Sequence, residues 1–230
     1  MKLDGPVIRS GPPGPKVTKV LEKAGLAPEQ YCAPLVERAE GIYMEDPDGN
    51  VFIDLISGRC IANTGHSHPR VVEAIRKRLS KGFHWKTPEI YSLTDRLGKM
   101  TGLNPCQVYW SQAGSMVNEF AIKASRRITG KPNIISFTGS YHGSSMGAIS
   151  LSGYDPAMIR HYGPTLPGVF HAPYASCYRC PFKHEAETCG LACLEYIDDV
   201  MFNTYVAPDE VAAVFVEPIQ GDAGWYVPPD

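Results

Sequence analysis

The segment Trp110-Ser111-Gln112-Ala113-Gly114-Ser115 is a turn of small residues that runs into a stretch of helical period. A turn of this kind leaves the first backbone N–H groups of a helix without intrahelical acceptors, at the positive end of its dipole. That arrangement suits a phosphate. Ser115 equally suits an ordinary N-cap, and the segment alone does not separate the two readings. A second glycine-rich turn, Thr138-Gly139-Ser140-Tyr141-His142-Gly143-Ser144, follows a short apolar run. Tyr141 brings an aromatic face and His142 a titratable ring, beside glycines that let a ligand approach the backbone; the same residues also make an ordinary exposed loop. Third, Glu217 closes the apolar run 211–216 and is followed by Pro218-Ile219-Gln220-Gly221. A carboxylate at the end of a strand sits where open α/β sheets place their ligands, and also where strand ends are simply capped or ion-paired.

The cysteines offer a different chemistry. Of the seven, Cys32, Cys60 and Cys106 are isolated, while Cys177, Cys180, Cys189 and Cys193 are bunched, with His171 and His184 near them. Four thiolates so spaced suit one tetrahedral Zn²⁺. The alternatives are a disulfide, or free structural thiols with Cys189 and Cys193 packed as small apolar side chains. The odd count and uneven spacing in a chain of 230 residues argue against a secreted disulfide framework.

These residues need elements to hold them. The arm over residues 1–15 carries Pro6, Pro12, Pro13 and Pro15 and reads as extended. A short helix is predicted over 16–24, closed by Gly25, and extended pieces over 35–39, 41–45 and 51–56. Between the last two, Asp46-Pro47-Asp48-Gly49-Asn50 is turn chemistry, so they should form a hairpin. After Gly65-His66-Ser67-His68-Pro69 the period becomes helical. Val71, Val72, Ile75 and Leu79 share one face opposite Glu73, Arg76, Lys77 and Arg78. Residues 115–129 repeat the pattern with Met116, Phe120, Ala124 and Ile128, stopped by Gly130 and Pro132. An apolar strand at 133–137, a helix at 191–202 and a buried strand at 211–216 follow. Helices alternating with short apolar strands predict an α/β layer with a mostly parallel sheet. The expected division is an arm and small lobe over 1–56 and a larger domain over 57–230, with a cysteine-rich insert at 171–193.

Composition narrows the function classes. Basic and acidic residues number 22 and 24, so no cationic excess exists to hold a nucleic-acid backbone. No apolar run approaches the ~18 residues needed to cross a bilayer, and the N-terminus lacks the apolar centre of a secretory signal. No nucleic-acid or membrane partner is expected, and the expected location is cytoplasmic.

Taken together and in order, these segments resemble the class III aminotransferases of the ornithine and 4-aminobutyrate type, which use pyridoxal phosphate. The resemblance runs through residues 41–54 (GIYMEDPDGNVFID), Ser57-Gly58, 65–69, 113–123 (AGSMVNEFAIK), Arg126, 129–131, 141–143 and 217–229 (EPIQGDAGWYVPP). It implies a fold-type I pyridoxal-phosphate transferase in part: a small N-terminal lobe plus the first half of the large, mostly parallel-sheet domain. It also implies that Gly114 and Ser115 hold the cofactor phosphate, Tyr141 stacks on the pyridine ring with His142 beside it, and Glu217 orders the site near the ring. Arg59, just after Ser57-Gly58, falls where the family places a substrate-contacting side chain, and a guanidinium there could pair a carboxylate.

Two departures qualify that picture. The family usually enters the phosphate helix with Ser-Gly-Ser-Glu, whereas this chain has Ala113-Gly114-Ser115-Met116. The resemblance also places the Schiff-base lysine and the ring-nitrogen aspartate after the 217–221 segment, while the last lysine here is Lys183. The expectation is an N-terminal portion of an aminotransferase, inactive alone, with an amino acid or ω-amino acid and a 2-oxo acid as substrates. It should act as a homodimer or with a complementing C-terminal half. A racemase on the same fold, and a non-catalytic split-gene partner or metal-binding subunit, are the other readings.

Overall fold

The computed structural model describes residues 3–31, 33–82, 84 and 86–229; Cys32 and the chain ends lie outside them. The chain divides into two compact units, Met1–Asp95 and Arg96–Asp230. This division places residues 57–95 with the N-terminal unit, unlike the boundary after residue 56 expected from sequence.

In the N-terminal unit, helix α1 (Pro15–Lys23) precedes three short antiparallel strands, β1 (Arg38–Glu40), β2 (Tyr43–Glu45) and β3 (Val51–Ile53), in the order β1-β2-β3. The predicted hairpin is the β2–β3 pair, in register Tyr43 opposite Ile53 and Glu45 opposite Val51. Its turn does far more than reverse the chain. Asp46 Oδ1 accepts the N–H groups of Asp48 (2.9 Å) and Asn50 (2.8 Å), and its Oδ2 accepts from Asn50 Nδ2 at 2.8 Å. Asn50 Oδ1 then accepts the N–H groups of Arg9 (2.7 Å) and Ser10 (2.9 Å). Asp48 caps α1 by accepting from Lys16 and Val17 N–H, both at 2.9 Å. Gly14 before the helix has no side chain to do so, and a Cβ there would sit 2.4 Å from Ser10 Oγ. The proline-rich arm is thus tied down, and Val7 pairs with Val51 in an antiparallel bridge.

Beyond β3 come a single turn, α2 (Ser57–Cys60), then α3 (Pro69–Leu79), and α4 (Pro88–Thr101) begins. Sequence periodicity put Val71, Val72, Ile75 and Leu79 on one face, and Val72 is half-buried. In the structure α3 buries none of its residues within the described chain, and Val71, Ile75 and Leu79 are exposed.

In the second unit the parallel sheet has the order β5-β4-β6, where β4 is Asn133–Phe137, β5 is Val169–Ala172 and β6 is Val211–Val214. Strand alternation sends Ile135 and Phe137 into one cluster with Ala172, Tyr174, Met201 and Val206, and Ile134 into another with Ile122 and Leu151. Being covered on both faces explains why β4 reads as an unbroken apolar run. Helix α5 (Gly114–Thr129) ends at Gly130, whose φ of 70° is the left-handed cap that glycine favours. Its core contact is Ile122, while Met116, Phe120 and Ile128 are exposed, a correction to the predicted face. Short α6 (Met146–Leu151) carries no amphipathic period because residues 147–151 are all buried, so nothing in its sequence marks it.

Two further expectations are revised. The predicted buried strand at 211–216 is a strand over Val211–Val214, with the Phe215 N–H still donating to the Ile135 carbonyl at 2.8 Å, and Val214 and Val216 are each 53% exposed on this outer strand. The predicted helix 191–202 is broken into α7 (Ala192–Tyr196), a π-helical turn (Ile197–Met201) and α8 (Phe202–Thr204). Asn203 Nδ2 donates to the carbonyls of Asp198 (3.0 Å) and Asp199 (3.1 Å), serving groups that the wider turn displaces.

Asp46 and Asn50 are 2% and 0% exposed, so removing either leaves buried donors or acceptors unpaired. Asn50→Ala is expected to lower stability by about 2–3 kcal/mol, read from urea unfolding of the whole chain. A loss under half of that would show that water replaces the amide.

Candidate functional site

β4 and β6 run parallel, so their C-terminal ends fall on one edge of the sheet, and the loops that leave them meet there. The first loop, residues 138–145, joins β4 to α6. The second, residues 215–221, follows β6. Helix α5 brings its N-terminus to the same edge. Ala113, the N-cap, is extended (φ −154°, ψ 156°) and has no hydroxyl to cap with. Its carbonyl accepts from Met116 and Val117. The N–H groups of Gly114 and Ser115 have no acceptor among the described residues.

The first two turns of α5 grip the 138–147 segment through side chains spaced three and four apart, hence on one face. Ser115 Oγ accepts the Ser144 N–H at 3.3 Å. Asn118 Nδ2 donates to the His142 carbonyl at 2.7 Å. Glu119 Oε1 accepts from both Ser145 Oγ and Gly147 N–H, each at 2.7 Å. Burial would raise the Glu119 carboxyl, but these hydrogen bonds, with Ala148 and the Lys123 charge, outweigh it and hold it below the usual range. Gly143 is tight against the helix: with φ of 121°, a Cβ there would lie 2.2 Å from Ser115 Oγ.

Glu217 ties the two loops together. Its Oε2 accepts the Tyr141 N–H at 3.0 Å and its Oε1 the Gly221 N–H at 3.3 Å, while Tyr174 donates its hydroxyl to the Glu217 and Pro218 carbonyls. Tyr141 packs edge-on against Tyr154 and its hydroxyl meets Ser144 Oγ at 3.2 Å. His142 packs edge-on against Phe215, its N–H donates to Ser152 Oγ, and its Nε2 is buried without a partner. Burial pushes the His142 imidazole below its ordinary range, against the pull of Glu217 and with the help of His171, so the ring is neutral at pH 7. Gln220 is also buried, donating to the Thr138 carbonyl and leaving its Oε1 unpartnered.

Gly114, Ser115, Tyr141, His142 and Glu217 therefore converge at one edge of the second unit. Sequence reasoning missed Asn118, Glu119 and Gln220 as organisers of that edge. The spacing of Asn118 and Glu119 from Ser115 was the available signal. Arg59 belongs to the N-terminal unit, in α2, where its side chain is exposed and has no ion pair among the described residues.

Of the three readings of the cysteine bunch, the structure shows free thiols rather than a metal site or a disulfide. Cys177, Cys180, Cys189 and Cys193 are free and half-buried, and no group of three or more metal-ligating side chains comes together among the described residues. Burial, and then the neighbouring thiols of Cys189, Cys193 and Cys180, push the Cys177 thiol up. His171 turns away to the Leu151 carbonyl at 3.3 Å. Zinc is not supported.

The model of the family described as aminotransferase class-III matches residues 27–230. Alanine/serine racemase of Pyrococcus horikoshii is 34% identical across 99% of this chain and 51% of its own length. Isoleucine 2-epimerase of Lentilactobacillus buchneri is 37% identical across 87% of this chain and 46% of its own. Among solved structures, a pyridoxal-phosphate-bound amine transaminase from an uncultivated Pseudomonas species superposes with a TM-score of 0.80 at 27% identity, covering 88% of this chain and 48% of that one. The chain spans about half the length of the relatives it matches. Its α/β architecture is part of the fold-type I transferase fold. With the strand-end loops and the helix start in family order along the sequence, the chain belongs to the class-III aminotransferases.

Proposed function

We propose that this chain builds the pyridoxal-phosphate seat of an enzyme that transfers an amino group from an amino acid or ω-amino acid to a 2-oxo acid. The observation that carries this reading is the start of α5. Two backbone N–H groups there have no acceptor, and a glycine turn too tight for any Cβ closes on the same residue. Such a cradle fits a phosphate, and the buried, unpartnered His142 Nε2 fits a polar atom of a bound molecule.

In this reading Gly114 and Ser115 bind the phosphate and Tyr141 covers the ring. His142, neutral, offers one hydrogen bond without adding charge. Glu217 is a positioning residue, since both of its oxygens already hold backbone N–H groups of the two loops. Arg59 would pair the carboxylate of the amino donor. When bound, pyridoxal phosphate supplies an electron sink for the bond that breaks at the amino carbon.

No lysine described here is assigned the covalent role. Lys123 is exposed and lies eight residues beyond Ser115 on α5, roughly 12 Å along the axis. A second reading, racemisation on the same seat, is favoured by the names of the relatives at 34% and 37% identity, a racemase and an epimerase. Incubating the cofactor-loaded whole enzyme with one enantiomer and a 2-oxo acid separates the two. New oxo acid supports transfer, and loss of optical activity without it supports racemisation.

Further outcomes are expected of the chain itself. Charged hydrogen bonds to the phosphate contribute about 1–3 kcal/mol and ring stacking about 1 more. The chain alone should therefore bind pyridoxal phosphate near ~1 mM by absorbance titration. Gly143→Ala, which drives a methyl into Ser115, should weaken that binding about tenfold or more. Borohydride reduction and peptide mapping should yield no stoichiometric adduct on one lysine, and a clean adduct on Lys123 would sink the assignment. Glu119 predicts a pH dependence: its lowered carboxyl gives stabilisation that is complete above its ordinary value of 4.5 and lost as pH falls through the lower folded value. Hydrogen exchange of the 142–147 amides should stay slow at neutral pH and accelerate only below that range. Glu119→Ala should make it fast at every pH.

A further inference from the structure

The turn α2 is wound left-handed. Ser57, Gly58, Arg59 and Cys60 have φ of 49°, 59°, 61° and 65°. Three of them carry a Cβ that disfavours this region, so the turn persists only because its surroundings hold it. Internally, Cys60 N–H donates to the Ile56 carbonyl (2.8 Å) and Ile61 N–H to the Ser57 carbonyl (3.0 Å). Among the described residues, the external hydrogen bonds to the turn come from one carboxylate. Asp54 Oδ1 accepts the Ile56 N–H at 3.0 Å, and Oδ2 accepts the Gly58 N–H at 2.6 Å and His66 Nε2–H at 2.6 Å. The Asp54 side chain is only 2% exposed, although the turn that it holds lies at the surface. His66 also packs against the turn, since a Cβ on Gly58 would lie 3.3 Å from its Cε1.

Both partners are themselves anchored to the same backbone. His66 and Gly41 exchange N–H and carbonyl in a bridge (2.8 and 2.9 Å), and Asp54 N–H donates to the Ile42 carbonyl at 2.8 Å. The hydrogen bond from His66, outweighing burial, and then the Ile56 and Gly58 N–H groups keep the Asp54 carboxyl below its usual range, so the acceptor is charged at neutral pH. Arg59, at the centre of the turn, is exposed and without an ion pair among the described residues. Leu55, Ile56 and Ile61 around it are exposed as well.

We infer that Asp54 and His66 are positioning residues that lock the Ser57–Cys60 turn left-handed and so fix the direction in which Arg59 presents its guanidinium to a substrate carboxylate. This rests on the assignment of Arg59 made above. In a right-handed or open turn, Arg59 would leave the backbone on another bearing, and a carboxylate contact that depends on a planar fork would be lost.

Two readouts separate the parts. The first is trypsin cleavage after Arg59, which needs the turn to open and is independent of activity. Asp54→Asn and His66→Ala should each speed it about tenfold, while amide spectra of β1, β2 and β3 stay native. His66→Gln, which keeps a donor for Asp54, should restore slow cleavage. Unchanged cleavage in both variants would overturn the locking. Where Asp54→Asn fails to fold, the pair His66→Ala and His66→Gln carries the test. The second readout, on the cofactor-loaded whole enzyme, is the preference for an amino donor with a carboxylate over the matching amine without one. Arg59→Ala and Asp54→Asn should both lose it through KM, with kcat little changed. If Arg59→Ala loses the preference and Asp54→Asn retains it, the positioning role falls alone. If neither loses it, the Arg59 assignment falls, and the positioning role with it, however the turn behaves.

Discussion

The parallel pairing of β4 with its two neighbours is the constraint from which the candidate site follows. β4 is buried on both faces, with Ile135 and Phe137 in one cluster and Ile134 in the other. Its position between β5 and β6 is set by parallel ladders on both sides, Ile135 opposite Phe170 in one and Val214 in the other. Because β4 and β6 point the same way, the loops carrying Tyr141-His142 and Glu217 must emerge at one edge. Helix α5, packed on the same sheet through Ile122, starts where those loops end. The phosphate-like cradle is thus a consequence of sheet direction and helix polarity, with no dedicated element of its own.

What keeps such loops in place is a recurring device. Glycine- and proline-rich segments carry few apolar groups to bury, so their order rests on carboxylates that each accept several N–H groups. Asp46 holds the β2–β3 turn, Asp54 holds α2, Glu119 holds the 142–147 segment and Glu217 holds both strand-end loops. Each satisfies donors that a helix or sheet would otherwise satisfy. In every case the acid is remote in sequence from some of what it binds or sits in a turn, and loses little chain entropy because its own backbone is already fixed.

The cysteines illustrate the opposite case. Their spacing satisfies the ligand count for a tetrahedral metal, yet spacing says nothing of whether the side chains converge in the folded chain. Here Cys177, Cys180, Cys189 and Cys193 are free and half-buried, and no three metal-ligating side chains come together among the described residues.

The sequence by itself determined the short-range features: the hairpin at 46–50, the stop of α5 at Gly130, the apolar β4, the alternation that makes the fold α/β, and the small-residue turn at Gly114-Ser115. These depend on residue types within a few positions of one another, where φ preference and periodicity act directly. It also carried the family resemblance, through motifs whose order survives without any knowledge of their contacts. The tertiary structure alone decided the rest. Most of the apolar rows that share one face of α3 and of α5 are exposed, because a helix face is buried only where another element covers it. Asp48 caps the Lys16 N–H of a helix 32 positions earlier in the chain, Glu217 reaches back 76 to Tyr141, and Asp54 meets His66 across 12. Those pairings arise when strand pairing and chain reversal bring distant backbone segments within hydrogen-bonding distance. Local propensity contains no information about that distance.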